Sequence, residues 1–511
     1  MGAVYLFHDL YGYLMEMSAD IAEMIDGFGD GLDTEETITY YRGKLGEADP
    51  RQFVEVLVGH AVLVPPDDDE LEGIWAHVPI KGRWNVWQRR GDRLVLWTAW
   101  GERPVQQVFL DPEETAMWDA FDGTKRLIEM RHHHDNAKLA ALVRRLAHSD
   151  VQALKLSVMP WAVYAKRPAL APAYLASTMP YPAWRPGEPV PPPADLTAYH
   201  DAITDADAQF EHNETTLSHL LRVPHPVLRG QTYGQALIAA LRAKGALPEG
   251  RARVLELGAG LGYVARDAIA ALGDVDYTIV ELSPALAAAQ RERVGDAARW
   301  VVGDALAVEL PAGGFDLVIA NEMIGDLPAV QLAAGAAPPR IVDELGITVD
   351  DAPDPAYLTT GAFELVRRIA GWLAPGGTAV VTEFGEQALW PRLSTHLDHP
   401  ELSIHFGQLA QAARASGLTA DVEFVIDLLD FDRDQQGLAT TRSHFRALRA
   451  LAAAEGVELA KLGYTPQLLA EAVDGKLDLT TIGELRWDRV EDRLMGLVPH
   501  EFKALLARRG R

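Results

Sequence analysis

The strongest constraint on the fold is an alternation of strand-like and helix-like segments that begins near Val254. The strand-like runs read RVLEL, YTIVEL, RWVVGDA, FDLVIANE and TAVVTEF, and helix-like runs at 263–272, 284–293 and 361–373 lie among them. Such alternation is typical of a mostly parallel sheet with helices on both faces. Because right-handed crossovers bring the carboxyl ends of parallel strands to one edge, the sequence predicts a Rossmann-like α/β domain with a ligand crevice there.

The segment VLELGAGLGY (254–263) follows the first strand and has a glycine at every second position. Small residues after a strand let the backbone approach a ligand, and the start of the next helix favours negative charge. The pattern alone is weak, because dinucleotide enzymes share it and a tight corner that binds nothing also fits it. The predicted ligand-binding residues of this loop are Gly258, Ala259, Gly260 and Gly262.

Acids mark the ends of the first three strands. Glu256 precedes the glycines, whereas the dinucleotide fingerprint begins with a glycine. Glu281, followed by Leu282, is predicted to accept hydrogen bonds from a ribose diol, and Asp304, followed by Ala305, from an adenine amino group. A ligand with an amine, a sulfonium and a ribose suits these acids better than a pyrophosphate does.

The arrangement resembles class I S-adenosylmethionine methyltransferases, in which LAPGG (373–377) before the fifth strand is also typical. A narrower resemblance covers most of residues 205–510. The blocks YTIVELSPALAAAQRERV, ANEMIGDLPAVQL, TEFGE, LSIHFGQLAQAARASGL and PHEFKALLARRG are similar to the MidA family, methyltransferases known for protein arginine methylation. The resemblance implies S-adenosylmethionine as the cofactor.

The MidA resemblance also implies catalytic residues after the fourth and fifth strands. The family's Asn-Glu falls on Asn321 and Glu322, its Asp-Tyr-Gly begins at Glu383, and its histidine falls on His405. Where the family has an acid, this chain has Gly325, and the acid is the next residue, Asp326. Because the acid is shifted by one residue, the resemblance does not settle the role of Asp326 or whether this chain shares the family's substrate.

Methyl transfer to an arginine or amine requires a site that holds a cation and takes up its proton. Carboxylates hold a guanidinium through charge-assisted hydrogen bonds. Glu322, beside Asn321, is the leading candidate for orienting the nucleophile, and Asn321 is also a candidate cofactor ligand. Glu383 is a secondary candidate, and so is His405, as proton acceptor. The structural alternative for Glu322 is that it stands at the N-terminus of a helix and binds backbone amides. The structural alternative for His405 is that it lies in the sheet with its hydrogen bonds satisfied there.

The N-terminal region carries an internal repeat. The stretches 13–31 and 107–123 each read as a strand and then a helix that starts at Ser18 or Asp111, and apolar helices follow at 50–64 and 138–154. Ahead of the second copy, RWNVWQRRGDRLVLWTAWG (83–101) reads as a hairpin. Strands followed by three short helices predict small winged-helix α+β domains at 1–70 and 75–157.

The second copy resembles PqqD-like domains, which recognise precursor peptides in ribosomal peptide modification, and the first copy resembles them more loosely. In that family a peptide adds a strand beside the hairpin and lies against the third helix, which closes at Leu154 in this chain. The alternative is an ordinary winged helix that forms a homodimer.

A proline-rich segment separates the two regions. Ten prolines within 158–195 forbid a regular helix or a central strand, so an extended linker is predicted at 158–197. The methyltransferase domain is then predicted at 198–511. Residues 430–495 are read as a helical insertion, in which KLGYTPQLLAEAVDGKLDL resembles a lid.

Composition limits the kinds of partner that the chain can bind and the cellular compartment that it fits. A formal net charge of −26 opposes general binding to nucleic acid, and no apolar run is long enough for a membrane span. The start of the sequence lacks the pattern of a signal peptide. The absence of cysteine fits a reducing cytoplasm and excludes thiolate zinc sites, and the consecutive histidines at 132–134 diverge on a helix, so no metal is expected.

Together these features predict a cytoplasmic methyltransferase that docks the leader of a ribosomal precursor peptide and methylates a nitrogen of the peptide. Two alternatives remain open. In the first, the N-terminal region dimerises and the enzyme methylates a small molecule on oxygen or nitrogen. In the second, the chain is an assembly factor that binds S-adenosylmethionine without turnover.

Overall fold

The computed structural model describes residues 4–8, 13–29, 34–45, 49–59, 63, 75, 77–99, 103–148, 150–157, 196–212, 216–333, 335–353, 356–391, 393–394, 401–490 and 502–511. Nearly all of the predicted linker lies outside these residues.

The strands, in chain order, are β1 (Val4–His8), β2 (Tyr13–Met17), β3 (Val78–Lys81), β4 (Asn85–Arg90), β5 (Arg93–Thr98), β6 (Gln106–Leu110), β7 (Leu154–Ser157), β8 (Ala252–Leu257), β9 (Val275–Glu281), β10 (Ala298–Val302), β11 (Phe315–Asn321), β12 (Val330–Leu332), β13 (Ala356–Leu358), β14 (Leu373–Glu386), β15 (Leu393–Ser394), β16 (Glu401–Leu402), β17 (Ile404–His405), β18 (Leu418–Phe424), β19 (Gln436–Leu438), β20 (Ile482–Gly483), β21 (Trp487–Arg489) and β22 (Phe502–Arg509).

The α-helices are α1 (Ala19–Gly29), α2 (Thr34–Tyr41), α3 (Pro50–Gly59), α4 (Pro112–Ala120), α5 (Leu127–Met130), α6 (Asn136–Ala147), α7 (Leu196–Asp201), α8 (Ala206–His212), α9 (Leu217–Leu220), α10 (Tyr233–Ala243), α11 (Tyr263–Leu272), α12 (Pro284–Val294), α13 (Arg340–Glu344), α14 (Thr360–Trp372), α15 (Phe406–Ala415), α16 (Val425–Leu428), α17 (Arg442–Ala454) and α18 (Pro466–Val473). No helix among the described residues combines the length and the apolar character that a membrane crossing needs.

The larger of two compact units contains the predicted sheet. Its strands lie in the order β10-β9-β8-β11-β14-β22-β18, and β8 pairs in parallel with both β9 and β11. Only β22 runs antiparallel to its two neighbours, β14 and β18, along this path. The prediction of an α/β domain with a mostly parallel sheet is therefore confirmed.

Both faces of this sheet are buried, as the continuous apolar runs indicate. Adjacent residues of a strand point to opposite faces. Val254 of β8 accordingly belongs to a core that includes Tyr233 and Leu237 of α10, whereas Leu255 belongs to the core on the other side, with Phe363 and Leu409. The carboxyl ends of β8, β9, β10 and β11 meet at the predicted edge.

The smaller unit contains the two N-terminal copies. The first is the antiparallel pair β1–β2 followed by α1, α2 and α3. In the second, β4, β5 and β6 form consecutive antiparallel pairs, α4, α5 and α6 follow, and β7 pairs with β3. The predicted caps are present, since Ser18 Oγ accepts from Ile21 N and the Asp111 side chain accepts from Glu114 N. Each copy has strands followed by three helices, as predicted, whereas β1, β3 and β7 were not predicted. The winged-helix and PqqD-like assignments stay predictions.

The last helix of the second copy is shorter than predicted. It ends at Ala147, and the predicted end, Leu154, begins β7. The chain turns through Gln152, which has a left-handed φ of 48°, and Leu154 is buried in the strand. A buried strand and a buried helix segment have the same apolar composition, which explains the error.

Residues 430–495 divide between the two units, which differs from the prediction. Thr440–Leu459 and Ala470–Leu485 group with the N-terminal unit, and Ala460–Leu469 groups with the larger unit. The buried face of α17 packs against β4 and β5, and β20 pairs with β4. The segment also contains β19, β20 and β21, so it is only partly helical.

Candidate functional site

A cleft of about 1100 Å³ opens at the carboxyl ends of β8, β9, β10 and β11. The predicted site residues that line it are Glu256, Gly258, Ala259, Gly260, Glu281, Leu282, Asp304, Ala305, Asn321, Glu322 and Asp326. Gly262, Glu383 and His405 are not among the lining residues. Eleven of the predicted residues therefore lie around one cleft, and they make up less than half of the residues that line it.

The glycines after β8 adopt the left-handed backbone that their residue type permits. Gly258 has φ 62° and Gly260 has φ 51°. A Cβ on Gly258 would lie 3.0 Å from Met323 Cβ, and a Cβ on Gly260 would lie 3.1 Å from Phe210 Cζ. Gly262, at φ 77°, precedes the first residue of α11 and acts as its N-cap. The loop is thus a close-fitting backbone wall, and Gly262 shapes it from outside the cleft.

Glu256 is a buried acid at the start of this wall. Glu256 is only 1% exposed, and Tyr277 Oη donates a hydrogen bond of 2.7 Å to its Oε2. Burial raises the pKa of Glu256 to about 7; the Tyr277 hydrogen bond opposes this rise, and the charge of Glu281 adds to it. A cationic group of a ligand in the cleft would favour the ionised carboxylate.

Glu281 is held in one orientation at the end of β9. Ser283 N donates to Oε1 at 3.0 Å, and Gln290 Nε2 donates to Oε2 at 2.7 Å. Gln290 Nε2 also lies 2.9 Å from the carbonyl oxygen of Gly260, which ties the acid to the glycine loop. Burial raises the pKa of Glu281, and these hydrogen bonds oppose the rise.

Asp304, the acid that follows β10, is exposed, and its side chain accepts a hydrogen bond from Leu306 N.

Asn321 and Glu322 form a hydrogen-bonded pair after β11. Asn321 Oδ1 accepts from Tyr233 Oη at 2.7 Å and from Thr382 Oγ1 at 2.9 Å, while its Nδ2 donates to Glu322 Oε1 at 3.0 Å. Glu322 has a left-handed φ of 53°, unusual for a residue with a side chain. The strained backbone points to a local constraint at this position.

The carboxylate of Glu322 binds the start of α9. Leu217 N donates to both oxygens, at 3.0 and 2.9 Å. This contact is the structural role considered for Glu322 from the sequence, yet the residue also lines the cleft. Burial raises the pKa of Glu322 to about 7, against the hydrogen bonds from Leu217, Asn321 and Ser218.

Glu383 lies behind the cleft wall. It is buried, and it accepts from Phe384 N at 3.0 Å and from Gly325 N at 3.1 Å. Burial raises its pKa well above the ordinary value, and the charges of Glu322 and Asp326 add to the effect. The three carboxyl groups therefore form one acidic cluster, of which Glu322 and Asp326 line the cleft.

The shifted acid has a structural explanation. A Cβ on Gly325 would lie 3.1 Å from Glu401 Cγ and 3.1 Å from the carbonyl oxygen of Leu402, which leaves little room for a side chain. Asp326 instead lines the cleft, where its Oδ2 is 3.4 Å from Nε2 of His200.

His405 is the N-cap of α15. Its Nδ1 accepts from Gln408 N at 3.3 Å, and its ring meets Trp390 edge to face. Burial lowers the pKa of His405, and the charge of Asp351 opposes that effect. The residue has a clear structural contact and does not line the cleft, so its place as proton acceptor stays a prediction without support from the geometry.

Sequence reasoning missed several residues that line the cleft. Tyr263 and Met323 lie within the recognised blocks, and the others precede them: His200, Phe210, Thr216, Ser218 and His219. Most lie on α7, α8 and α9, short helices that precede the first strand of the sheet. Their spacing has no motif, and the sequence does not say where such helices fold back onto the strand ends.

The comparison with protein-family models found one match. Residues 254–337 match a model described as a methyltransferase domain. These residues include the glycine loop, the three strand-end acids and the Asn321–Glu322 pair. The chain therefore contains a methyltransferase domain, with S-adenosylmethionine as its cofactor.

Solved structures show low overall similarity. The [4+2]-cyclase SpnF is 17% identical and covers 63% of this chain and 98% of its own, with a TM-score of 0.35. A 1,6-didemethyltoxoflavin-N1-methyltransferase from Burkholderia thailandensis is 22% identical and covers 38% and 71%, with a TM-score of 0.25. An S-adenosylmethionine-dependent methyltransferase from Mesorhizobium loti is 18% identical and covers 55% and 100%, with a TM-score of 0.28. No curated protein matches the chain.

Proposed function

We propose that this chain is an S-adenosylmethionine-dependent methyltransferase that binds the leader of a ribosomally made precursor peptide and methylates a nitrogen of the peptide. The nitrogen belongs to an arginine side chain or to a free amine. The second N-terminal copy binds the leader, and the cleft beside the acidic cluster carries out the transfer.

The observation that carries the peptide assignment is the edge of the four-stranded sheet β20-β4-β5-β6. The β4 edge is occupied, because Ile482 pairs with Gln88 and Gly483 pairs with Trp87. Among the described residues, no strand pairs with the outer edge of β6. An open edge offers backbone donors and acceptors to an added strand. Phe109, the fourth of the five residues of β6, is 63% exposed and offers an apolar contact to the same ligand.

The cofactor supplies an electrophilic methyl group on a sulfonium. The lining residues fit such a ligand, because the left-handed glycine loop leaves room for backbone contact and the acids Glu256, Glu281 and Asp304 are hydrogen-bond acceptors when ionised. We assign Glu256 to the amine of the cofactor, Glu281 to the ribose diol and Asp304 to the adenine amino group.

The acidic cluster supports nitrogen as the acceptor atom. Glu322 and Asp326 line the cleft, with Glu383 directly behind them. Two carboxylates in a low-dielectric site hold a guanidinium or ammonium by charge-assisted hydrogen bonds. Placement of the nitrogen lone pair next to the methyl carbon provides most of the rate of such a transfer.

The proposal is tested by mass spectrometry of co-expressed peptides. The full chain is expressed with the short open reading frames encoded beside its gene, and each peptide is examined for added methyl groups. We expect a methylated arginine or amine, identified by fragmentation. A methylated small molecule with no modified peptide would overturn the substrate assignment. Binding of S-adenosylmethionine without any methylated product would overturn the claim that the chain is an enzyme.

A further inference from the structure

A second histidine, His219, lies in the wall of the cofactor cleft. It belongs to α9 and is 2% exposed. Its ring contacts two aromatic rings, with centroids 5.6 Å from that of Phe210 and 5.9 Å from that of Tyr263. Both neighbours also line the cleft, and their packing holds His219 in place.

The helix that carries His219 is fixed to the candidate catalytic pair. Leu217 N, at its start, donates to the carboxylate of Glu322, and Ser218 Oγ accepts from Asn321 Nδ2 at 3.4 Å. His219 is therefore one residue from a direct contact of Asn321 and two residues from a direct contact of Glu322. His219, Asn321 and Glu322 line the same cleft.

The two ring nitrogens of His219 have different surroundings. Nε2 lies 3.4 Å from Glu211 Oε1. Both ring nitrogens are buried and neither makes a hydrogen bond within the described residues, so the Glu211 carboxylate is the charged group that distinguishes the Nε2 side of the ring from the Nδ1 side. A histidine whose one nitrogen faces a carboxylate carries its proton there and leaves a lone pair on the other nitrogen.

Glu211 is well anchored as the partner. Arg222 Nη2 donates to Oε1 at 2.9 Å, and Lys461 N donates to Oε2 at 2.9 Å. Burial works against ionisation, but contact with His219, the Lys461 hydrogen bond and the charge of Arg222 lower the pKa of Glu211 to about 2. The carboxylate is therefore ionised across the neutral pH range.

Burial is the largest influence on the pKa of His219 and lowers it, which favours the neutral ring. Glu211 opposes this effect, and the cations Arg222 and Lys461 add to the lowering. A neutral imidazole can accept a proton, whereas an imidazolium cannot.

We infer that His219 Nδ1 is the proton acceptor of the methyl transfer and that Glu211 is its positioning residue, an inference that rests on the proposed function. The acceptor nitrogen gives up a proton to Nδ1, and its freed lone pair forms the bond to the methyl carbon. The carbon–sulfur bond breaks and its electron pair stays on sulfur, which becomes the neutral thioether. The imidazolium is stabilised by Glu211 and returns its proton to solvent.

The kinetic test compares the full-length His219→Gln, Glu211→Gln and His405→Asn variants, with a synthetic arginine peptide that has a free amino terminus as acceptor. We expect His219→Gln to lower kcat about 100-fold and to leave the Kd for S-adenosylmethionine within about twofold. Loss of the carboxylate in Glu211→Gln should lower kcat less and move the acid limb of the pH profile to lower pH. His405→Asn keeps a good helix N-cap and should keep the wild-type pH profile.

A second measurement reports on His219 without turnover. Nitrogen-15 NMR of histidine-labelled protein bound to S-adenosylhomocysteine, assigned by difference with His219→Gln, should show Nε2 protonated and Nδ1 unprotonated. The inference would be overturned if Nδ1 is protonated, or if His219→Gln keeps the wild-type kcat or loses only affinity for the cofactor. It would also be overturned if kcat collapses in His405→Asn alone. If the wild type methylates no acceptor, the proposed function fails, and the NMR result still decides the state of His219.

Discussion

At the scale of single residues, Glu256 is the acid whose ionisation is most closely tied to the cofactor. Its pKa of about 7 in the free protein means that a bound cation must shift it toward the ionised form. Below pH 7 the carboxyl is mostly protonated, so cofactor binding should weaken as pH falls. We expect the Kd for S-adenosylmethionine to rise up to about tenfold between pH 7 and pH 6.

Isothermal titration of the wild type and Glu256→Gln checks this prediction. The variant should bind about 10- to 100-fold more weakly at pH 8, because a charge-assisted hydrogen bond is lost. It should also lose the Glu256 part of the pH dependence. An equal pH dependence in both proteins would assign that effect to another group, of which Glu281 is the first to test.

Glu322 gives a second prediction at this scale. Glu322→Gln keeps an oxygen that can accept from Leu217 N, so α9 should stay in place, while the negative charge in the cleft is lost. We expect kcat to fall about 100-fold with little change in thermal stability. Steady-state kinetics and thermal unfolding measure the two effects. A large loss of stability with normal kcat would show that Glu322 serves α9 alone.

The sequence predicts the cleft residues that follow strands. It does not predict the cleft residues on the short helices that precede the sheet. Glu256, Glu281 and Asn321 each end or follow a recognisable apolar run, so topology alone brings them together. His219 enters the cleft because α9 packs against α10 and α11. That contact depends on tertiary packing, and neither a repeat nor a spacing in the sequence signals it.

At the scale of secondary structure elements, the open edge of β6 is the part of the molecule that the peptide assignment depends on. Phe109→Asp should leave the fold intact, because the side chain is mostly exposed, and should weaken leader binding at least about tenfold. Ile128→Asp on α5 is the matched control, since Ile128 is also an exposed apolar residue of this unit.

Fluorescence polarisation with labelled leader peptides from the co-expression experiment would measure both affinities. Equal affinity for the wild type and Phe109→Asp would exclude β6 as the docking edge. A matching loss in Ile128→Asp would show a surface effect that is not specific to the strand.

Elements were predictable where one periodicity ran unbroken. The strands β8, β9, β11 and β14 follow the alternation closely, because each contains a run of buried residues in one sheet. The short elements β12, α13 and β13 interrupt the alternation and were not predicted. The end of α6 was not predictable in this way. Its apolar run continues directly into β7, and only the left-handed turn at Gln152 separates the two.

At the scale of the whole molecule, the smaller unit is built from distant parts of the chain. Leu448 of α17 is fully buried, and its helix packs on β4 and β5. Truncation of such a residue leaves a cavity, so Leu448→Ala should destabilise this unit by about 2–5 kcal/mol. Hydrogen exchange should then accelerate in β4 and β5.

Val56→Ala is the control for this experiment, because Val56 is an exposed apolar residue of the same unit. Faster exchange in β8 and β11 with no change in β4 and β5 would contradict the assignment of α17 to the smaller unit. The sequence could not give this assignment, because the amphipathic pattern of α17 shows that one face is buried and does not name the surface that covers it.

The central claim is that a leader bound at the N-terminal unit directs methylation in the cleft, and the rate of methyl transfer to matched peptides tests it most directly. Purified full-length protein, S-adenosylmethionine and a peptide from the co-expression experiment are compared with the same peptide without its leader. We predict that removal of the leader lowers kcat/KM at least about tenfold, and that Phe109→Asp lowers it similarly only when the leader is present. Equal kcat/KM for the two peptides in the wild type would contradict the claim.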